Sequence, residues 1–493
     1  MSATYPGPNE EMLAAQARVC TGPHQSRPLG LKEGDPDPGR ILELVFASLR
    51  GALPRGEQVS EAQMGAFFAA MAIRRRFGAK TGWSAAEVEA FDRHWDELEQ
   101  MPDDLRFLLD MESGFAGHTE GEERVVMALR LILRGGHLSY DAALTALSAV
   151  LEGEVRPSLM AAFLIGQRMN IEAEEEVRAY RDAVRSPEEV LSLKVESLVH
   201  FGQPFDGARR YFRPTLFVAA VRAALGRPSV LHGVDEMPPK RGVTEEQILD
   251  ALGARVDLMP EEAGRLIEDE RVGFAYVSQR EYSPRAYALR ELRVHIAKRP
   301  PWATTEKAQQ LFSCSGWNGM VVGFYHAGYE DKLLGLMRDL GLDAGLVIKG
   351  EEGTSHYGLR LGRPSNAESK MGASPGDNTP RKAVNYTQGF RHRDGNACPV
   401  TCDVDPQDYG FRYAQNPRPE TVSAAAFAAH GIAALQGERG PVYDRILFNA
   451  ALTDYYLGLS EGAYEGLAAA KEAIECGRAL AHLERYISRS REI

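Results

Sequence analysis

The chain has 493 residues, 44% of them hydrophobic and 26% charged, a formal net charge of -12 and a mean hydropathy of -0.31. That length supports two domains, or one large α/β unit beside a helical one. No window approaches the ~18 uninterrupted apolar residues of a membrane span, and the acidic balance argues against a protein that coats nucleic acid. Five cysteines suit a reducing, cytoplasmic setting. Cys398 and Cys402, spaced CPVTC, have no second pair elsewhere to complete a metal or redox motif.

Residues 1–36 carry Glu10, Glu11 and several prolines without an apolar h-region, and read as a flexible N-terminal segment rather than a secretory signal. Helical periodicity then appears twice. Residues 37–116 form an additional helical region containing ILELVFASLRG and EAQMGAFFAAMAIRRR; residues 117–193 contain RVVMALRLILRGGHLSYDAALTALSAVLEGEVRPSLMAAFLIGQRM. Both run helix, polar turn, helix, then a helix with M-x-A-F, Met64 to Phe67 and Met160 to Phe163. The first is either a degenerate duplicate of the second or merely a similar helical hairpin. In the second, Ser139 caps a helix whose Leu144, Leu147, Val150 and Leu151 form one stripe, and Gly153 stops it.

From residue 194 to 493 the pattern is α/β. An apolar run, Leu198–Phe201, enters a turn with Gly202, Pro204, Asp206 and Gly207. Arg209-Arg210-Tyr211-Phe212-Arg213 follows, and then the helical LFVAAVRAAL. A second strand-like run delivers His232-Gly233 and, later, Lys240-Arg241-Gly242. Strand, tight turn and helix is how α/β proteins present backbone N–H groups to phosphate. From Lys194 to Gly242 there are eight basic and four acidic residues, a local excess that suits an anionic ligand. Further on, Thr244 and Gln247 form a capping box, residues 270–279 contain a strand, 331–340 a helix closed by Gly341, and 345–349 a buried strand. Residues 363–382 read as a long polar loop. The segments 420–436, 442–459 and 462–487 read as alanine- and leucine-rich helices.

The order of these segments resembles anthranilate phosphoribosyltransferase and the wider glycosyltransferase family 3. The similarity extends through VIKGEEG at 347–353, GERGPVYDRILFNAA at 437–451 and EAIECGRAL at 472–480. The resemblance implies an α/β fold: a helical N-terminal domain, then a mainly parallel sheet flanked by helices. It implies that Gly202, Asp206, Gly207 and Thr215 match a phosphate-gripping turn and that His232, Gly233 and Lys240 line the ligand site. Val234 and Arg290 would stand in the acceptor pocket, Arg293 lying near the same arginine position. It also implies a two-fold homodimer through residues 162–169, unless the additional helical region packs on that surface instead.

Departures from the family pattern bear on chemistry. Gln203-Pro204-Phe205 replaces Thr-Gly-Gly, Pro214 a phosphate-binding serine, and Val234 an asparagine. Ser355-His356 stands where the family holds Mg²⁺ with Asp-Glu, so the usual magnesium ligands are absent. With the glycine cradle lost, guanidinium groups from Arg209, Arg210 or Arg213 are expected to supply the missing donors. Three functions follow: a divergent phosphoribosyl- or glycosyltransferase-like protein that binds a phosphorylated sugar or nucleotide, a non-enzymatic nucleic-acid binder, or a genuine anthranilate phosphoribosyltransferase. The substitutions weigh against the third and the overall acidity against the second.

Overall fold

The computed structural model describes residues 7–361, 385–393 and 396–493; the polar stretch at 363–382 lies outside them. The chain divides into a helical unit, Met1–Val184 with Arg285–Glu306, and an α/β unit, Arg185–Pro284 with Lys307–Ile493. Among the described residues, no helix is long and apolar enough to cross a membrane.

The helical unit begins with α1 (Glu10–Val19), α2 (Pro38–Leu49), α3 (Glu61–Arg74) and α4 (Ala85–Arg93), then the short α5 (Trp95–Leu98) and α6 (Asp103–Leu109). It continues with α7 (Glu120–Ile132), α8 (Tyr140–Glu152), α9 (Pro157–Asn170) and α10 (Glu174–Val184). The N-terminal segment expected to be flexible carries α1: Asn9 caps it through the Met12 N–H, and Met12, Ala15 and Val19 bury the opposite face.

Two copies of one arrangement build this unit. α1 packs on α2 and α3, and α2 on α4; likewise α7 packs on α8 and α9, and α8 on α10. Glu-Val-x-Ala-Phe/Tyr recurs in the fourth helix of each, at Glu87–Phe91 and Glu176–Tyr180. Glu87 accepts the N–H groups of Leu29 (3.0 Å) and Ser84 (2.7 Å). Glu176 accepts those of Leu138 (2.8 Å) and Ala173 (2.6 Å). Each glutamate is the third residue of its helix and ties that helix to the chain entering the second one. The copies meet through α3 and α9, the helices that carry M-x-A-F. A Cβ on Gly65 would fall 1.9 Å from the Ser158 carbonyl oxygen, so the residue between Met64 and Ala66 has to be glycine.

The α/β unit holds β1 (Leu191–Leu193), β2 (Ser197–Gly202), β3 (Ser229–Gly233), β4 (Phe274–Ser278), β5 (Phe312–Cys314), β6 (Trp317–Gly323), β7 (Ala344–Ile348), β8 (Tyr386–Arg393) and β9 (Asn396–Asp403). Its main sheet runs β4-β3-β2-β6-β7-β8-β9, parallel from β4 to β7 and antiparallel at β8 and β9. β3, β4 and β7 are buried along their whole length, as strands covered on both faces must be. Flanking them are α11 (Thr215–Ala224), α12 (Glu245–Ala251), α13 (Pro260–Glu268), α14 (Gln279–Tyr282) and α17 (Tyr329–Asp339), whereas α15 (Pro284–Ala288) and α16 (Leu292–His295) fall in the stretch that belongs to the helical unit. The C-terminal helices are α18 (Ala424–Leu435), α19 (Pro441–Leu457), α20 (Ala463–Glu475) and α21 (Arg478–Glu492). The stretch 462–487 is two helices rather than one, because Gly477 adopts φ 77° between them.

Candidate functional site

Register places the site. Gly202 at the end of β2 pairs with His232 at the end of β3 on one side and with Val322 of β6 on the other. Both sequence-predicted turns therefore leave the carboxyl ends of adjacent parallel strands, the usual ligand edge of such a sheet. Gly202 is where the chain tolerates no side chain: a Cβ there would lie 1.8 Å from the Lys307 carbonyl oxygen. Gly207 adopts φ 73°, which glycine allows without strain.

The donors of the β2 turn converge on one carboxylate. The backbone N–H groups of Arg209, Arg210 and Tyr211 point at Glu352, at 3.0, 3.2 and 3.3 Å. Lys240 Nζ lies 3.4 Å from the same carboxylate and 4.0 Å from Asp206, and donates to the Gly207 carbonyl at 2.6 Å. Burial pushes Glu352 upward, but the Arg209 N–H, Lys240 and the Tyr211 and Arg210 N–H groups outweigh it, so the carboxyl titrates below its ordinary value. Burial lowers the Lys240 ammonium, and Asp206 and Glu352 oppose that shift.

The three arginines expected as donors stand in different settings. Arg209 and Arg210 expose their side chains and contribute through the backbone instead. Arg210 Nε stands 3.9 Å from Glu352. Arg213 is buried and turned to Glu245 (2.7 Å) and the Pro204 carbonyl (3.1 Å). The Thr215 hydroxyl also donates to Glu245, at 3.0 Å. Arg222 and Arg227 both meet Asp454 at 2.8 Å. The local basic excess is thus answered by Glu245, Glu352 and Asp454, acids that lie outside the basic stretch.

His232 is 1% exposed, and among the described residues neither of its ring nitrogens has a hydrogen-bond partner. Its ring lies edge-on to Phe205 (5.7 Å) and Tyr282 (5.9 Å), and burial lowers its pKa to about 3, so it is neutral near pH 7. Gly233 and Val234 are buried beside it. Gln279, after β4, is another buried side chain whose amide makes no hydrogen bond among the described residues. Arg290, expected in the acceptor pocket, belongs to the helical unit, where it lies 4.0 Å over the Tyr287 ring. Arg293 is in that unit too, buried against Glu306 at 2.6 Å.

The residues at the implied magnesium position do not fit a hard cation. Ser355 Oγ accepts from Gln203 Nε2, and Gln203 Oε1 accepts from Thr354 Oγ1 at 3.0 Å. His356 is fully buried, its ring 5.5 Å from that of Phe201, and burial, with Arg445 and Arg213 nearby, holds its pKa well below the imidazole range. The neighbouring carboxylates are committed: Glu351 pairs with Arg445, and Glu352 with the N–H groups above. A hydroxyl and a neutral imidazole are poor substitutes for the oxygen anions magnesium prefers.

Sequence reasoning missed Glu245, Asp454 and Arg445, which complete the site's charge pairs from distant segments. It also missed the hairpin of β8 and β9, which carries Cys398 and Cys402 on one face of β9, four residues apart.

Residues 126–186 match the family model described as the glycosyl transferase family helical bundle domain, which is the second helical copy. The chain is 25% identical over 357 residues to the anthranilate phosphoribosyltransferase of Rhodopseudomonas palustris, covering 72% of this chain and 96% of that one. It is 26% identical over 365 residues to the one of Thioalkalivibrio sulfidiphilus, covering 73% and 97%. Among solved structures, the Thermus thermophilus enzyme aligns with a TM-score of 0.55 at 21% identity, over 75% of this chain and 99% of that one. The Saccharomyces cerevisiae enzyme in complex with PRPP and Mg aligns with a TM-score of 0.58 at 15% identity, over 76% and 99%. The fold is therefore that of an α/β phosphoribosyltransferase with a helical N-terminal domain. Within that fold class the chain is similar along most of its length to anthranilate phosphoribosyltransferases, and it carries the helical bundle domain of the glycosyl transferase family.

Proposed function

We propose that this chain is a divergent phosphoribosyltransferase-like protein that binds a phosphorylated sugar or nucleotide at the ends of β2 and β3, and that anthranilate is not an efficient acceptor for it. One observation carries the reading: three successive N–H groups and the Lys240 ammonium converge on a single anionic group. Such a concave run of backbone donors is an anion-binding device. The neutral His232 and the buried Val234 offer an acceptor carboxylate no positive charge of their own. Pro214 has no N–H to offer a phosphate, and Ser355-His356 does not replace an Asp-Glu pair. Losing one such electrostatic contact lowers turnover by ~10²–10³-fold, and the losses here fall in one site.

Calorimetric titration with phosphoribosyl pyrophosphate, nucleotides and short DNA tests the binding. A phosphorylated small molecule is expected to bind; DNA binding alone would favour the nucleic-acid reading. A direct assay with anthranilate, phosphoribosyl pyrophosphate and Mg²⁺ tests the chemistry. Robust turnover would make the chain an ordinary member of the family.

A further inference from the structure

Glu352 sits where it does under backbone strain. It adopts φ 56° and ψ 14°, the left-handed region that is unfavourable for a residue with a side chain. Its neighbours hold it there. Glu351 is fastened to Arg445, which also donates to the Phe212 carbonyl at 3.0 Å. Gly353 follows at φ 77°, and Thr354 and Ser355 are tied to Gln203. The Glu352 side chain is only 6% exposed, although the residues it answers, Arg209 and Arg210, are on the surface. A strained residue over-determined by its surroundings and aimed at a ligand edge is a feature of binding sites and switches.

The donors it satisfies also exceed what a turn needs for closure. Three consecutive N–H groups and an ammonium make a receptor for a group with several anionic oxygens, whereas a carboxylate brings two oxygens and one charge. Around the nest stand Asp206, 4.0 Å from Lys240, and the Arg210 guanidinium, 3.9 Å from Glu352. With Glu352 in place, Lys240 is matched by acids; with Glu352 turned away, the nest has donors and positive charge to offer.

We propose that Glu352 is the resident anion of this site, a built-in competitor that a phosphate-bearing ligand must displace from the Arg209–Tyr211 N–H groups and Lys240. The proposal rests on the anion-site reading above and adds to it the residue that sets the affinity. A tethered carboxylate is present at high effective concentration, so the site is competent only in the fraction of molecules that have released it, and the apparent affinity falls by that fraction. The ligand class is therefore one with more than a single negative charge, a pyrophosphate or a phosphate ester, because only extra charge and extra oxygens let it win the exchange. No bond is made or broken in this step.

Calorimetric titration of the full chain with inorganic pyrophosphate tests it, using the unaltered protein, Glu352→Ala, Glu352→Gln and the double variant Glu352→Ala with Lys240→Ala. Glu352→Ala is expected to bind pyrophosphate about tenfold or more tightly than the unaltered chain, and the added Lys240→Ala to remove the gain. Equal affinity in the unaltered chain and Glu352→Ala would overturn the competitor while leaving the anion site standing. No binding by any of them, with thermal unfolding showing the variants folded, would overturn both readings. If Glu352→Ala does not fold, Glu352→Gln, which keeps the size and removes the charge, carries the same outcomes.

Discussion

Glutamates close backbone N–H groups in both units of this protein, and they do so in two different ways. In the helical unit Glu87 and Glu176 hold equivalent places in the two copies, each taking one N–H from its own helix start and one from the entry to the second helix. Their side chains are 0% and 1% exposed. In the α/β unit Glu352 also takes backbone N–H groups, but from a strained turn and with partners on the surface. The first pair is architecture, since it recurs with its sequence signature at regular helical backbone. Glu352 has no such repeated counterpart among the described residues and sits at left-handed backbone, which is what the proposed role as a displaceable anion leads one to expect.

The largest expected effect separates the two units by acid. His232 and His200 are buried and neutral, each with a pKa lowered by burial to about 3; for His200, neighbouring His232 adds to the shift. The unfolded chain binds these protons from about pH 6.5, while the folded chain refuses them until about pH 3. Their contribution is thus full above the unfolded value and is lost as pH falls. By pH 4.5 the two together cost the α/β unit up to roughly 5 kcal/mol. His295 of the helical unit is shifted the same way, and its ring shares a hydrogen bond with Ser60. Hydrogen exchange across pH 7 to 4 should therefore show β2 and β3 losing protection before α3 and α9. Loss in the reverse order would break the comparison.

Next in size is Glu87→Ala. It strands the Arg74 guanidinium, which meets Glu87 at 2.6 and 3.1 Å with both side chains fully buried. Breaking a buried pair on one side costs about 3–5 kcal/mol, read as a shift in the urea midpoint. Glu176→Ala should cost less, about 2 kcal/mol. Its ionic neighbour His137 is half exposed, and Asn170, which stands where the first copy has Arg74, is satisfied by the Ile132 carbonyl at 2.8 Å. Equal costs for the two glutamates would mean that Arg74 adds nothing. Glu352→Gly should be more stable than Glu352→Ala by about 1 kcal/mol, because glycine relieves the left-handed strain.

Local signals in the sequence foretold local structure well. Thr244 and Gln247 form the capping box, and Ser139 and Gly153 bound α8 as read. The ends of β2 and β3 carry the turns that glycine and hydrophobic pattern indicated. What escaped is non-local: Glu352 reaches the turn from more than a hundred residues downstream, and Asp454 reaches Arg222 from further still. Charge counted along a segment cannot see an acid delivered by another element. Arg213 shows the same blindness, since Glu245, which claims it, comes from another element. The N-terminal helix α1 was missed because its buried face is short, Met12, Ala15 and Val19 among polar residues. The hairpin of β8 and β9 was missed because Gly389 and Pro399 interrupt its alternation.

The smallest expected effect is an absence of self-association, and it tests the likeness of the two helical copies. In a two-fold assembly equivalent elements face each other across the axis. Here the equivalent helices α3 and α9 already do so within one chain, with Gly65 letting the backbone of Ser158 come close. α9 buries nearly its whole length, from Ser158 through Gln167, so the surface that the family resemblance assigned to a partner subunit is covered by the chain's own first copy. Light scattering at high protein concentration should give the single-chain mass of 54.2 kDa. Replacing Gly65 with valine should lower stability by opening α3 from α9, and with α9 uncovered the variant should gain a concentration-dependent species of twice that mass. A dimer of the unaltered chain would show that another face does the pairing, and that the internal contact of α3 and α9 leaves self-association intact.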